Sequence, residues 1–186
     1  MATKATQMLE EEHRVIQKVA ASLAMVGEDL EMGKPVQSKV LQDLATFLET
    51  FVEQCHQRKE EAYLFPILEK KGVPASGCPL AVLNNEHAKE RALIKQFADA
   101  VEVHVRSEGA VRTSLAATIR ALVELLPGHI WKEDYLLLPM ADKLLSPEEQ
   151  ETLRMQFERV EFEIGPGVHQ GFERLAAGLE QAVHQS

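Results

Sequence analysis

Two short runs of the chain carry the same reactive residue types at the same spacing. His56-Gln57-Arg58-Lys59-Glu60-Glu61-Ala62-Tyr63-Leu64-Phe65-Pro66 aligns with His129-Ile130-Trp131-Lys132-Glu133-Asp134-Tyr135-Leu136-Leu137-Leu138-Pro139. They share a histidine, two variable residues, a lysine, a glutamate and a second acid, then Leu and Pro at fixed offsets. Upstream, Leu9 followed by Glu12-His13 matches Leu83 followed by Glu86-His87. On a helix, a histidine and a glutamate four residues apart lie on one face, about one turn from each other. Packed together, such helices direct four imidazoles and two carboxylates into one interior layer. As bare ionisable groups these are costly to bury, and a metal centre removes that cost. Two carboxylates related by an internal repeat suit the bridging of two ions. The four histidines then divide two and two, with positions left open on each ion for solvent or a small molecule.

Imidazole and carboxylate without thiolate disfavour Cu(I) and structural zinc. A two-ion site with spare positions suits iron, with manganese behind it and zinc as an occupant of convenience. Of the seven histidines, His104 and His184 have no counterpart in the repeat and read as surface residues. His169 follows Gly165-Pro166-Gly167 and is a further candidate, as a ligand or as a partner of one. Lys59 and Lys132 precede the glutamates by one residue, so they are expected to face away from the ions and form surface salt bridges. Arg91 and Gln17, four residues after His87 and His13, read as solvated side chains, and Tyr63 as core packing.

The elements that must position these groups are helical. Aromatics are only 5% of the chain, and its long stretches are Leu, Ala, Val, Glu, Gln and Lys, which are helix rather than strand formers. Apolar residues recur at helical spacing from Gln7 to Met32, where Gly33-Lys34-Pro35 stops the run. A second helix spans Val36 to Lys70, kinked or ended near Pro66, and a breaker-rich loop from Gly72 to Pro79 follows. A third runs from Leu80 to about Arg106, closed near Gly109. A fourth covers Val111 to Lys143, interrupted at Pro127-Gly128 and again at Pro139. Four long helices with short connections, repeated as two hairpins, predict an antiparallel bundle over 1–145. Ser146-Pro147-Glu148-Glu149 reads as a helix start, with Ser as N-cap and Pro at the first position. It opens a two-helix extension over 146–186 whose apolar residues, among them Leu153, Phe157 and Phe172, need burial against the bundle.

The totals exclude several function classes. The net charge of −9, from 20 basic and 29 acidic residues, lacks the electrostatic footprint of a nucleic-acid binder. No stretch approaches the roughly 20 apolar residues of a membrane span. Met1 to Leu9 has one Lys and no apolar h-region, so a cytoplasmic location is expected, with Cys55 and Cys78 reduced.

Glu12-His13, His56 to Pro66, Glu86-His87 and His129 to Pro139 resemble the hemerythrin-like family, the histidine-histidine-glutamate cation-binding domain, over about Gln7 to Lys143. The resemblance implies an all-α, up-down-up-down four-helix bundle around a non-haem pair of iron ions, oxo- or hydroxo-bridged. Such a centre binds or reacts with oxygen, nitric oxide or peroxide, or senses iron or oxygen. It implies His13, His56, Glu60, His87, His129 and Glu133 as ligands, with Glu60 and Glu133 bridging. Two departures stand out. Oxygen-carrying hemerythrins have a second histidine on the third helix where this chain has Arg91, which favours chemistry or sensing over reversible oxygen carriage. They also use an aspartate five residues after the last histidine; Asp134 holds that place, but symmetry with Glu60 favours Glu133. Three readings stay open: a di-iron protein that reacts with a small ligand, an iron- or oxygen-responsive module without turnover, and a metal-free helical scaffold. The Glu-x-x-His order of ferritin-like bundles is absent, which disfavours storage or oxidase readings by that route.

Overall fold

The computed structural model describes residues 3–106, 111–165 and 167–184, with side chains through 179. All regular structure among them is helical. We number six helices: α1 (Ala5–Glu31), α2 (38–70), α3 (Leu80–Arg106), α4 (112–144), α5 (Pro147–Ile164) and α6 (Val168–His184). The break expected near Gly109 and the side chain of His184 lie outside the described residues. No described helix is long and apolar enough to cross a membrane.

The helices α2 and α4 are continuous but not uniform. The turns Glu60–Leu64 and Glu133–Leu137 widen, so that the N–H of Phe65 donates to the carbonyl of Glu60, and that of Leu138 to Glu133, each five residues back. The cause lies just downstream. Pro66 and Pro139 have no N–H, and each ring would collide with the carbonyl four residues earlier in a regular helix. A wide turn moves that carbonyl aside and keeps the helix going, so the two repeats deform alike just before these prolines, although α2 is also widened over Phe47–Gln57 and α4 is not in the matching stretch. Pro127 behaves differently from the expected interruption, because Arg112–Lys132 runs through it as regular helix.

Helix α1 packs chiefly on α4 and the extension and also meets α2; α4 packs on α3, which in turn packs on α2. At one point α1 and α4 come very close. A Cβ on Gly27 would meet Cγ2 of the buried Ile119 at 2.8 Å, so a larger residue there pushes the helices apart. Helix α5 begins with the expected capping box, in which the Ser146 side chain accepts from Glu149 N–H and the Glu149 carboxylate from Ser146 N–H. It ends at Gly165, whose φ of 135° is one that L side chains rarely adopt.

Two apolar clusters lie along the helices. One includes Ile16, Phe51, Ile94 and Ile130 and takes in Leu175 and Leu179 of α6. The other includes Leu9, Leu64, Leu83 and Leu137 and takes in Leu153 and Phe157 of α5. On each of the first four helices the charged residues Glu12-His13, His56 to Glu60, His87 and His129 to Glu133 fall between the two clusters. The extension is therefore stitched to both sides of a buried polar layer.

Phe157 is fully buried while Phe162, on the same helix, is 72% exposed. Phe157→Ala is expected to cost about 3–5 kcal/mol in urea denaturation, and Phe162→Ala to stay within about 0.5 kcal/mol. A Phe157→Ala loss below about 1 kcal/mol would mean that α5 is not part of the cooperative unit.

Candidate metal centre

Between the two clusters, His13, His56, Glu60, His87, His129 and Glu133 are all essentially closed to solvent. The structure brings them together in two overlapping groups: His13, His56, Glu60 and Glu133, and Glu60, His87, His129 and Glu133. Within each group the donor atoms lie within 4.8 Å of one another. The inward atoms are the Nε2 nitrogens. His13 and His56 place theirs 3.1 Å apart, and His87 and His129 place theirs 3.0 Å apart. Glu133 reaches into both halves, with Oε2 3.1 Å from His13 Nε2 and Oε1 3.1 Å from His129 Nε2. Glu60 Oε2 is 3.6 Å from His56 Nε2 and 3.4 Å from His87 Nε2. None of the four oxygens of these two carboxylates has a hydrogen-bond partner of acceptable geometry.

Each outward nitrogen is held by a carboxylate. His13 Nδ1 is 2.5 Å from Asp134 Oδ1, His56 Nδ1 3.0 Å from Glu12 Oε2, His87 Nδ1 2.8 Å from Glu61 Oε1, and His129 Nδ1 3.1 Å from Glu86 Oε2. The pairing obeys the repeat. Glu61 and Asp134 are the acids that follow Glu60 and Glu133, and Glu12 and Glu86 are the acids that precede His13 and His87. Carboxylates on Nδ1 fix the ring so that the Nε2 lone pair points inward, as around metal-bound histidines generally.

With no cation between them, four inward lone pairs and two carboxylates would repel. Protons fill that role in metal-free protein. Burial acts to lower the histidine values, but the hydrogen bond to Asp134 and the negative charge of the Glu133 carboxylate beside Nε2 raise His13 to about 10. Glu133, Glu60 and Glu61 likewise raise His87 to about 12, and Glu133 and Glu90 raise His129 to about 9. In turn, against the effect of burial, His129, His13 and His87 hold the Glu133 carboxyl well below its ordinary value. The layer therefore has a cationic demand that either protons or metal ions can meet, and the donor chemistry fits divalent or trivalent metal ions.

Several neighbouring residues differ from their sequence-based reading. Lys59 is buried rather than on the surface, paired with Glu12 and, at 2.6 Å, with Glu161 of α5. It faces away from the ligand atoms, as expected, but α5 covers that side. Lys132 does pair near the surface, with Glu86 at 2.7 Å. Arg91 is not simply solvated, since it donates to Glu61 at 2.6 Å and lies 3.3 Å from Gln57 Oε1. His104 is buried rather than exposed, its Nδ1 without a hydrogen-bond partner among the described residues. His169 lies outside both groups; its Nε2 is 3.0 Å from Glu12 Oε1. Asp134 turns outward to His13 while Glu133 turns inward. Tyr63 is partly buried against the apolar cluster below the layer, and Gln17 is exposed. The Cys55 thiol is buried, and burial together with Glu12 pushes it up to about 12, so it supplies no thiolate.

Sequence reasoning missed one buried acid, Glu90, which accepts from Gln57 Nε2 at 2.6 Å and lies 3.9 Å from His129 Nδ1. Its counterpart in the first half is Ile16, so the repeat carried no signal for it.

The Hemerythrin HHE cation binding domain matches residues 4–141. Uncharacterized proteins of Mycobacterium bovis and Mycobacterium tuberculosis are 24% identical over 154 residues, covering 83% of this chain and 60% of their own length. The chain thus spans about three fifths of the curated relatives it matches. A match across both hairpins, on a layer of histidines and glutamates poised for cations, places the chain in the hemerythrin HHE cation-binding domain family.

Proposed function

We propose that residues 1–145 form an up-down-up-down four-helix bundle that holds two metal ions, iron foremost, with manganese or zinc as substitutes. In this reading His13 and His56 hold one ion, His87 and His129 the other, and Glu60 and Glu133 bridge them. The observation that carries it is the pair of buried glutamates with no hydrogen-bond donor on any oxygen, set among four converging Nε2 atoms. A buried carboxylate left so is expensive unless a cation faces it.

When bound, the ion pair supplies Lewis acidity and one-electron chemistry toward a small ligand such as dioxygen, nitric oxide or peroxide. The chain's own contribution is positioning. Glu12, Glu61, Glu86 and Asp134 hold the imidazole rings in the inward-lone-pair tautomer. The apolar clusters on either side keep bulk water out of the layer, and six protein ligands for two ions leave room for a small molecule. The companion reading, an iron- or oxygen-responsive module without turnover, is favoured by one contact: Glu12, partner of His56, is also bound by His169 of α6. Residues 146–186 act in both readings as an extension packed on the bundle, in a cytoplasmic protein with no nucleic-acid or membrane partner.

Anaerobically reconstituted protein is expected to hold about two irons per chain and, once oxidised, to absorb in the near ultraviolet as a coupled ferric pair. Glu60→Ala or Glu133→Ala should abolish the pair, whereas His104→Gln should keep it; equal iron in all three variants would sink the ligand assignment. Peroxide or nitric oxide consumed only in proportion to iron would exclude the enzymatic reading and leave the responsive module.

A pH dependence follows from the raised histidines. Their folded values lie above the ordinary 6.5, so in metal-free protein protonation stabilises the fold fully below about pH 6.5, and this is lost as pH climbs through about 9 to 12. Metal ions must displace those protons. Loading near pH 7.5 is therefore expected to release about three protons, one each from His13, His87 and His129, and to tighten as pH rises. Calorimetry in buffers of different ionisation enthalpy measures the release. Zero net release would contradict ligation through these nitrogens.

A further inference from the structure

The repeat extends beyond the ligands to their partners, and there the two halves part. In the α3–α4 half, Glu86 holds His129 and is held by Lys132, and both side chains of that ion pair are partly open to solvent, 14% and 29%. In the α1–α2 half the equivalent pair, Glu12 and Lys59, is closed to solvent. Glu12 uses its two oxygens separately. Oε2 takes His56 Nδ1, and Oε1 takes both the Lys59 ammonium and His169 Nε2.

The extension supplies half of this arrangement. Glu161 of α5 is the second carboxylate on Lys59, at 2.6 Å, without which a buried ammonium would have a single counterion. His169 of α6 is seated on the Phe51 ring, 5.1 Å between centroids, and Phe172 one turn on packs edge-on to Phe47 and Phe51. Glu161 of α5, through Lys59, and His169 of α6 thus converge on Glu12, the residue that orients His56. Among the described residues, the extension provides no hydrogen bond or ion pair to Glu86 or Lys132.

We propose that the C-terminal extension is a structural part of one half of the metal centre. Lys59, Glu161 and His169 are positioning residues that hold Glu12 and, through it, His56. The ion on His13 and His56 depends on α5 and α6, whereas the ion on His87 and His129 is held by the bundle alone. Because energetic coupling between two sites is reciprocal, filling the first position also tightens the docking of α6. This inference rests on the two-ion reading given above.

Stepwise anaerobic Fe(II) titration of the metal-free full-length chain tests it. Wild type should take two equivalents. Lys59→Met and His169→Ala should bind one equivalent as wild type does and the other about 10- to 100-fold more weakly, the usual effect of removing a ligand's partner. Lys132→Met, at a partly exposed pair, should change either step by less than about fivefold. Should Lys59→Met fail to fold, Glu161→Gln, at a partly exposed side chain, carries the same expectation. As a second readout, iron loading should slow hydrogen exchange in α6 of wild type and not of His169→Ala. Unchanged affinities in these variants, equal weakening of both steps, or exchange in α6 indifferent to iron would overturn the proposal. A wild-type chain that takes fewer than two equivalents would instead overturn the metal reading itself.

Discussion

The structure depends on one constraint: a layer of imidazoles and carboxylates is closed to water from both sides and must be neutralised from within. Two apolar clusters seal it, and neither could be moved without opening it. Outside the layer the problem is solved locally, since each Nδ1 has its own carboxylate and the two most important of those carboxylates, Glu12 and Glu86, have their own lysines. Inside, no lysine or arginine among the described residues pairs with Glu60 or Glu133, so the positive charge must come from protons on the imidazoles or from metal ions. The Nε2 atoms face one another and the bridging glutamates lack donors. A set of side chains so fully paired on its rim and so unpaired at its middle is suited to hold a cation there.

Helical periodicity and turn chemistry made much of this legible in the sequence. The helix ends at Gly33 and Gly72 and the start at Ser146-Pro147 follow from backbone rules that need no tertiary context. The six inward residues were legible because the chain carries them twice, and spacing of four on a helix leaves little freedom in where they point. The outer carboxylates were visible only as repeated acids at 12, 86, 61 and 134. That Glu12 serves His56 rather than its neighbour His13 is a crossing between helices, which no local pattern encodes.

What escaped was set by packing. Lys59 and His104 were read as surface residues because polar residues on the outer face of a helix usually are. Whether an outer face stays outer depends on what is laid over it, and for Lys59 that is an extension a hundred residues further along. Pro127 shows the same limit in the opposite direction. A proline in a helical pattern predicts a break, but Arg112–Lys132 continues through it, while Pro66 and Pro139 are accommodated by widened turns that carry Glu60 and Glu133. The same residue type breaks, bends or passes according to the neighbouring turn.

The internal repeat explains how two such similar halves acquired different surroundings. Beside Glu61 lies an open groove of about 700 Å³ whose lining includes Gln54, Arg58, Ala62, Arg91 and the end of α5. Its counterpart beside Asp134, about 520 Å³, includes Pro127, Trp131, Tyr135 and Gln17 at the matching positions. The acid that holds the histidine is kept in both, and everything around it has changed. Arg91 donates to Glu61 on one side, drawing negative charge away from His87. On the other, no lysine or arginine among the described residues pairs with Asp134, which shares its groove with the stacked rings of Trp131 and Tyr135. Glu61 is shared between an imidazole and a guanidinium and Asp134 is not, so the rings of His87 and His13 are held differently although their helices are alike. With Glu12 clamped by the extension and Glu86 left near solvent, every outer carboxylate has a different environment. In the proposed arrangement two ions would therefore differ in affinity and in exposure, because the repeat preserved the inner donor atoms and let the next layer diverge.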